Sequence, residues 1–182
     1  MNGTRHPQAA KAVIFAPLAI TTSASLGSAT AGTVVNGGTL TLSNINLASS
    51  ESISLTGTGG GSGALQGSGV SSVAASNVIT LAGNATIASV GALTINGAIG
   101  ESGGARSLTK SGFGVLTLAG NNSYSGATIV SDGTLAAGAA DVLDNSSGVN
   151  LSVSCATLNL AGFHQSLSKL DGVNGAIVTN NA

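Results

Sequence analysis

Residues 108–138 read LTKSGFGVLTLAGNNSYSGATIVSDGTLAAG. Within this stretch Val115-Leu116-Thr117-Leu118 alternates apolar and polar residues. That is the period-two pattern of a strand with one buried face. Gly120 and Asn121 follow and predict the strand's end, because both residue types tolerate left-handed backbone angles. A second start, Gly133-Thr134-Leu135, repeats the small-residue, polar, leucine order of a new strand.

Outward from this stretch the pattern small-x-Leu-x-apolar recurs. It occurs at Gly38–Leu42, Gly91–Ile95, Gly114–Leu118, Gly133–Ala137 and Ala156–Leu160. Leu93, Leu116, Leu135 and Leu158 follow one another at intervals of 23, 19 and 23 residues. The wide gap between Leu40 and Leu93 has room for two more copies, and Ser52–Leu55 and Val78–Leu81 are the candidates. Leu-Ala-Gly also recurs, at 81–83, 118–120 and 160–162. A single strand of this kind cannot bury its face, but units of about 20 residues that stack bury a continuous core. The expectation is an all-β parallel β-helix of about five or six turns. An antiparallel sandwich would need turns every 8–12 residues or so and no recurrence at about 20. Ala136–Leu143 is the one place where a short helical turn is conceivable, and the glycine run at 57–69 reads as a protruding loop.

Composition agrees with a stacked fold. Gly, Ser, Thr and Asn make up nearly half of the 182 residues, yet Leu, Ile, Val and Phe supply about a quarter. That apolar share lies above the level expected of disorder. Charged residues are 6 % and aromatics 2 %, with a net charge of −1. In a ladder of turns about 4.8 Å apart, like charges would repel, whereas Thr, Ser and Asn can bond up the outside. No basic stripe or stacking platform exists, so nucleic acid is not an expected partner.

Over residues 108–138 the chain resembles the autotransporter-associated β-strand repeat. The matching positions are Leu108, Lys110, Gly112, Gly114, Leu116, Leu118, Gly120 and Asn121. They continue, after a two-residue spacer, with Tyr124, Gly126, Thr128, Gly133, Thr134 and Leu135. Residues 158–171 resemble the next turns of such proteins, and 32–104 follow the style loosely. The resemblance implies a right-handed parallel β-helix in the passenger of a type V secreted protein, displayed at the cell surface beyond the outer membrane. It carries no catalytic residues and no cofactor. It implies a C-terminal translocator barrel as partner, and no stretch before Ala182 reads as one, so the chain is expected to be a fragment or a product without its own translocator. A host or cell-surface ligand is the implied target.

The N-terminus reads as an address. Arg5, His6 and Lys11 precede the nine-residue apolar run Ala12–Ile20, and a small, polar stretch ends in Ala29-Thr30-Ala31. This is the order of a secretory leader over 1–31, with residues 32–182 as the passenger. The competing reading of the apolar run is a strand at the start of the fold. Nine residues are too few to cross a bilayer as a helix, which takes about 20.

Chemistry-bearing patterns are sparse. Gly100–Gly104 has the letters of a G-x-S-x-G nucleophile elbow, which needs a strand, a turn and a helix. Gly59–Ala64 has the letters of a dinucleotide loop, but no acid follows before Glu101. Cys155 falls in an alternating run and reads as a small core residue, and His164 as a surface or turn residue. Asp141, Asp144 and Asn145 read as a solvated loop rather than a cation site. Glu101, Arg106 and Lys110 form the one local charge cluster, with Asp132 a surface ion-pair partner for Lys110. Tyr124 and Phe113 read as core or turn-edge packing. The leading expectation is a non-catalytic stalk that presents loops or a distal domain for adhesion. The alternatives are a polysaccharide-acting enzyme on the same scaffold and a self-associating matrix component.

Overall fold

A computed structural model describes residues 12–22, 26, 31–48 and 50–181. Its first turn holds β1 (Ala12–Ile14) and β2 (Leu18–Ile20). The next holds β3 (Thr33–Asn36), β4 (Leu40–Ser43) and β5 (Asn46–Leu47). Then come β6 (Ser52–Gly57), a 3-10 turn at Gly59–Gly61, β7 (Leu65–Ser68) and β8 (Val70–Val73). The long β9 (Val78–Ser89) bends through two walls before β10 (Ala92–Ile95). They are followed by β11 (Ile99–Glu101), β12 (Leu108–Ser111), β13 (Val115–Leu118), β14 (Thr128–Val130) and β15 (Thr134–Ala137). The chain closes with β16 (Val149–Leu151), β17 (Thr157–Asn159), β18 (Leu170–Gly172) and β19 (Ile177–Thr179).

Every strand pairing is parallel, so the architecture is a β-solenoid and not a sandwich. Three walls enclose the core. The first stacks β1, β3, β6, the front half of β9 and β11. The second stacks β2, β4, β7, the rear half of β9, β12, β14, β16 and β18. The third stacks β5, β8, β10, β13, β15, β17 and β19, which sets the count at about seven turns. At about 4.8 Å per turn the stack is about 34 Å tall.

The sequence-based count of five or six turns is therefore low, and the reason is local. Ser52–Leu55 and Val78–Leu81 are strands of the first wall, with Leu55 on Leu81. Leu40 belongs to the second wall, on Leu65. The residue beneath Leu93 is Ser71 of β8, where the motif's leucine is replaced by a buried serine. Only the half of the glycine run around 58–63 loops out, because Leu65–Ser68 pairs with β4 and β9. Residues 140–145 form tight turns, not a helix.

The core is a set of aliphatic columns. Leu93, Leu116, Leu135 and Leu158 stand on one another in the third wall, all fully buried. Leu40, Leu65, Ile87, Lys110, Val130 and Leu151 form the corresponding column of the second wall. Parallel pairing at one strand spacing forces such stacking, and aliphatics of similar volume fill it without voids. Outside, Ser72 Oγ donates to Asn46 Oδ1 at 2.9 Å and Thr41 Oγ1 to Gln66 Oε1 at 3.3 Å, the polar ladder that the composition predicts.

The apolar run 12–20 supplies β1 and β2 on the first turn, where Phe15 is 70 % exposed. Of the predicted leader, residues 1–11, 23–25 and 27–30 lie outside the described residues.

Candidate functional site

The repeat positions are distributed around one turn of the rod, and Lys110 marks the corner between its second and third walls. Lys110 occupies an inward position of β12, between Ile87 below and Val130 above, and is fully buried. Its aliphatic stem fills the column, while its ammonium turns to the corner after the strand. There Nζ donates to the carbonyls of Ser111 at 2.8 Å, Gly112, and Asp132 of the next turn at 3.0 Å. Gly112, with φ +73°, makes the bend that aims those carbonyls at one point. Burial pushes the Lys110 ammonium down to about 8, with the nearby Asp132 carboxylate acting in the opposite direction.

This corrects the expected surface ion pair. The stacking does bring Asp132 to Lys110, but the backbone carbonyl accepts the bond. The Asp132 carboxylate instead takes the Gly133 amide at 2.8 Å.

The other repeat positions pack into the core or make bends elsewhere on the same turn. Leu108, Leu116, Leu118 and Leu135 are fully buried. Gly114 and Gly120 press against the turn below: a Cβ on them would stand 2.0 Å from the Gly91 carbonyl oxygen and 2.1 Å from that of Gly97. A Cβ on Gly126 would stand 2.2 Å from the backbone of Arg106. Gly133 has φ +61°, Thr134 is half-buried and Asn121 is exposed. Tyr124 is buried, and its hydroxyl shares a 2.7 Å bond with Thr128 Oγ1 inside the core. Burial pushes the Tyr124 phenol up to about 12, with the Thr128 bond pulling slightly the other way. Phe113, in contrast, is 72 % exposed on the corner and packs into no core.

After β11 the first wall gives way to loops, and these carry most of the remaining charge. Glu101 Oε1 accepts from Ser125 Oγ at 2.6 Å and Oε2 from the Arg106 amide at 2.7 Å. The Ser125 bond is the main cause holding the Glu101 carboxyl below its ordinary range, against a smaller opposing effect of desolvation. The Arg106 guanidinium folds back on the carbonyls of Ser102 and Gly103. The sequence cluster Glu101, Arg106 and Lys110 is thus split between a surface loop and the core. The G-x-S-x-G letters sit in that loop, with no helix after them.

On the next turns, His164 Nε2 lies 2.8 Å from Asp141 Oδ2, and Asp141 Oδ1 accepts from the Ser166 amide at 3.1 Å. Asn145 Nδ2 donates to Asp144 Oδ1 and to the Asn122 carbonyl. The oxygens read as a solvated loop are therefore engaged in local bonds. Lys169 pairs with Asp171 at 2.7 Å on the last turn. Among the described residues no pocket and no cluster of three metal-ligating side chains is present. Cys155 is exposed with φ +67°, at the bend between β16 and β17, so the expectation of a core cysteine is corrected. The alternating run around it is interrupted by this turn.

Sequence reasoning missed the internal amides. Asn122 is buried, accepts from the Ile99 amide at 2.9 Å and donates to the Val142 carbonyl at 2.9 Å, joining three turns from the start of β11 upward. One turn on, the half-buried Gln165 bonds the Leu143 amide and the Ala139 carbonyl of the turn below it, joining two turns. Asn77 ties the Glu51 amide to the Leu47 carbonyl lower in the rod. Read by residue type alone, each asparagine signals only a turn. Glu51 is also buried, with Oε1 accepting from Thr33 Oγ1 at 2.6 Å and Oε2 unpartnered among the described residues.

Residues 108–137 match the family model described as the passenger-associated-transport-repeat. This stretch is an autotransporter passenger repeat, and it spans β12 to β15 with the Lys110 corner near its start. Searches of curated proteins and of solved structures found no match to the chain.

Proposed function

From a passenger repeat seated within a parallel β-solenoid, we propose that the chain is a non-catalytic stalk segment of an autotransporter-like protein at the cell surface. The observation that carries this is the fit of the repeat to the rod. Its lysine and glycines make the corner between two turns, which is a task of scaffolding. The plain second and third walls give stiffness, and the loops of the first wall are what the stalk presents for adhesion. Charged side chains on those loops are engaged in local bonds, which favours scaffold over catalyst.

Export uses the leader 1–31, removed after Ala31, so that β1 and β2 leave with it and the mature rod begins at Thr33. Its helical sense is right-handed. Passage of the outer membrane requires a translocator barrel as a separate domain of the full protein. The rod folds outside without nucleotide, because each added turn buries more of the core.

The test is surface exposure on cells expressing the full gene. An antibody raised against residues 32–182 should label intact cells, and external protease should remove the label. Sequencing of the exposed protein should find its N-terminus at Gly32. A rod detected only after the outer membrane is opened would overturn the proposal.

A further inference from the structure

The chain contains the dipeptide Asn-Gly at 36–37, 96–97 and 174–175 within the described residues. Identical in sequence, the three differ in structure. Asn36 and Gly37 are both exposed, Gly37 has φ +81°, and a Cβ on it would meet nothing within 4 Å. The Asn36 amide has no hydrogen-bond partner among the described residues, and the Gly37 N–H makes only a long 3.4 Å bond to the Thr56 carbonyl. Asn174 and Gly175 are the centre of an exposed four-residue turn closed by the Ala176 amide on the Val173 carbonyl at 3.1 Å. Gly175 has φ +86°, its N–H is free, and the Asn174 side chain is unbonded among the described residues.

Asn96 is exposed as well, but its side chain is tied to the turn below. Its Nδ2 donates to the Val73 carbonyl at 3.3 Å and its own N–H to the same oxygen at 2.9 Å. Gly97 is buried, and a Cβ on it would lie 2.0 Å from the Asn77 carbonyl oxygen.

We propose that Asn36 and Asn174 are sites of spontaneous self-modification and that Asn96 is protected by the rod. The backbone nitrogen of the following glycine attacks the side-chain Cγ. The new N–Cγ bond forms, the Cγ–Nδ2 bond breaks, and ammonia leaves with the glycine N–H proton. Water then opens the cyclic imide at either carbonyl. One product is aspartate; the other is isoaspartate, whose backbone runs through the side chain. No oxidant or metal is involved. Glycine permits the attack because it lacks a Cβ to obstruct it, and a free amide can rotate to the required geometry. At Asn96 the bond to Val73 opposes rotation of the amide, and the close packing of Gly97 on Asn77 opposes the backbone movement that the attack needs.

Each conversion adds a negative charge to a chain with only six acidic residues. At Asn36 the change falls on the last ladder pair of β3, opposite Thr56. At Asn174 it falls in the turn that joins β18 to β19.

The test is incubation of the purified full chain at mildly alkaline pH, folded and in urea, followed by peptide mapping with mass spectrometry. The folded chain should lose the amide at Asn36 and Asn174 and keep it at Asn96, while the urea-unfolded chain should lose all three. An Asn174→Gln variant should lose the change at that position alone, which confirms the assignment of the peptide. Conversion of Asn96 in the folded chain at the pace of the other two would overturn the proposal. So would silence at Asn36 and Asn174 in the folded chain while the unfolded chain reacts.

Discussion

The Lys110 ammonium bonds the backbone carbonyl of Asp132 at 3.0 Å, one full turn further along the chain, while the carboxylate of the same aspartate bonds elsewhere. A side chain inside one turn thus secures the corner of the next. The bond exists only after the second turn has docked, so the contact links successive turns rather than decorating one.

Replacing this lysine separates stem from charge. Lys110→Met keeps an unbranched side chain in the column but leaves the carbonyls of Ser111, Gly112 and Asp132 without the ammonium. Buried groups left unsatisfied cost about 1–3 kcal/mol each, and relief of ammonium burial offsets part of this. The expected net loss is about 2–4 kcal/mol, read from urea or thermal unfolding by circular dichroism. Unchanged stability would mean that water satisfies the corner.

Stability should depend on alkaline pH in two opposed ways. Lys110 is held near 8 in the fold against an ordinary value of 10.5. Between those values the unfolded chain binds more protons, so stability rises with pH. Tyr124 is pushed up to about 12 from 10.0. Between those values the folded chain holds more protons, so stability falls with pH. Wild type should therefore gain stability above pH 8 and lose it above about 10.5. Lys110→Met should abolish the gain and Tyr124→Phe the loss; a profile unchanged by both variants would refute the assignment.

Tyr124 can be dissected by size. Tyr124→Phe removes only the bond to Thr128 and should cost about 1 kcal/mol. Tyr124→Ala opens a cavity in a closed core and should cost about 3–5 kcal/mol. Equal effects of the two variants in chemical denaturation would count against a packing role for the ring.

Two glycines of ordinary backbone angle should behave oppositely. In Gly114→Ala the new Cβ would stand 2.0 Å from a backbone oxygen of the turn below, which cannot yield without moving a strand. A loss of about 3 kcal/mol or more is expected. In Gly100→Ala the nearest atom is the Ser123 hydroxyl at 3.3 Å. That variant should fall within about 0.5 kcal/mol of wild type. Comparison of their melting curves tests whether turn-to-turn contact, and not glycine content, sets stability.

The third wall is legible in the sequence because its leucines recur at intervals of about 20 residues. Leu93, Leu116, Leu135 and Leu158 were placed in one column by spacing alone, and the structure stacks them. Legibility failed where a position kept its geometry but changed its chemistry. Ser71 stands beneath Leu93 with no apolar side chain to mark it. Lys110 sits among aliphatics because its charge is satisfied locally, a fact that residue type does not reveal. Cys155 departs from its reading for the opposite reason, because a bend interrupts the alternating stretch around it, and Phe113 stands at the turn edge rather than in the core. The amides of Asn122 and Gln165 join turns through the interior, and only their three-dimensional partners distinguish them from ordinary turn residues.

The replacement of the first wall by loops after β11 divides the rod into constrained and unconstrained sides. Along the second and third walls an extra residue would shift a strand by one place and turn its leucines outward. Between Leu118 and Thr128, between Ala137 and Val149, and between Asn159 and Leu170, the chain crosses from one wall to the other without a continuous ladder to keep in step. Between Leu118 and Thr128 buried Asn122 and Tyr124 and close-packed Gly126 still fix the path. Chain length is negotiable only at the exposed bends of these crossings, and there the rod can accept grafted segments without shifting a strand.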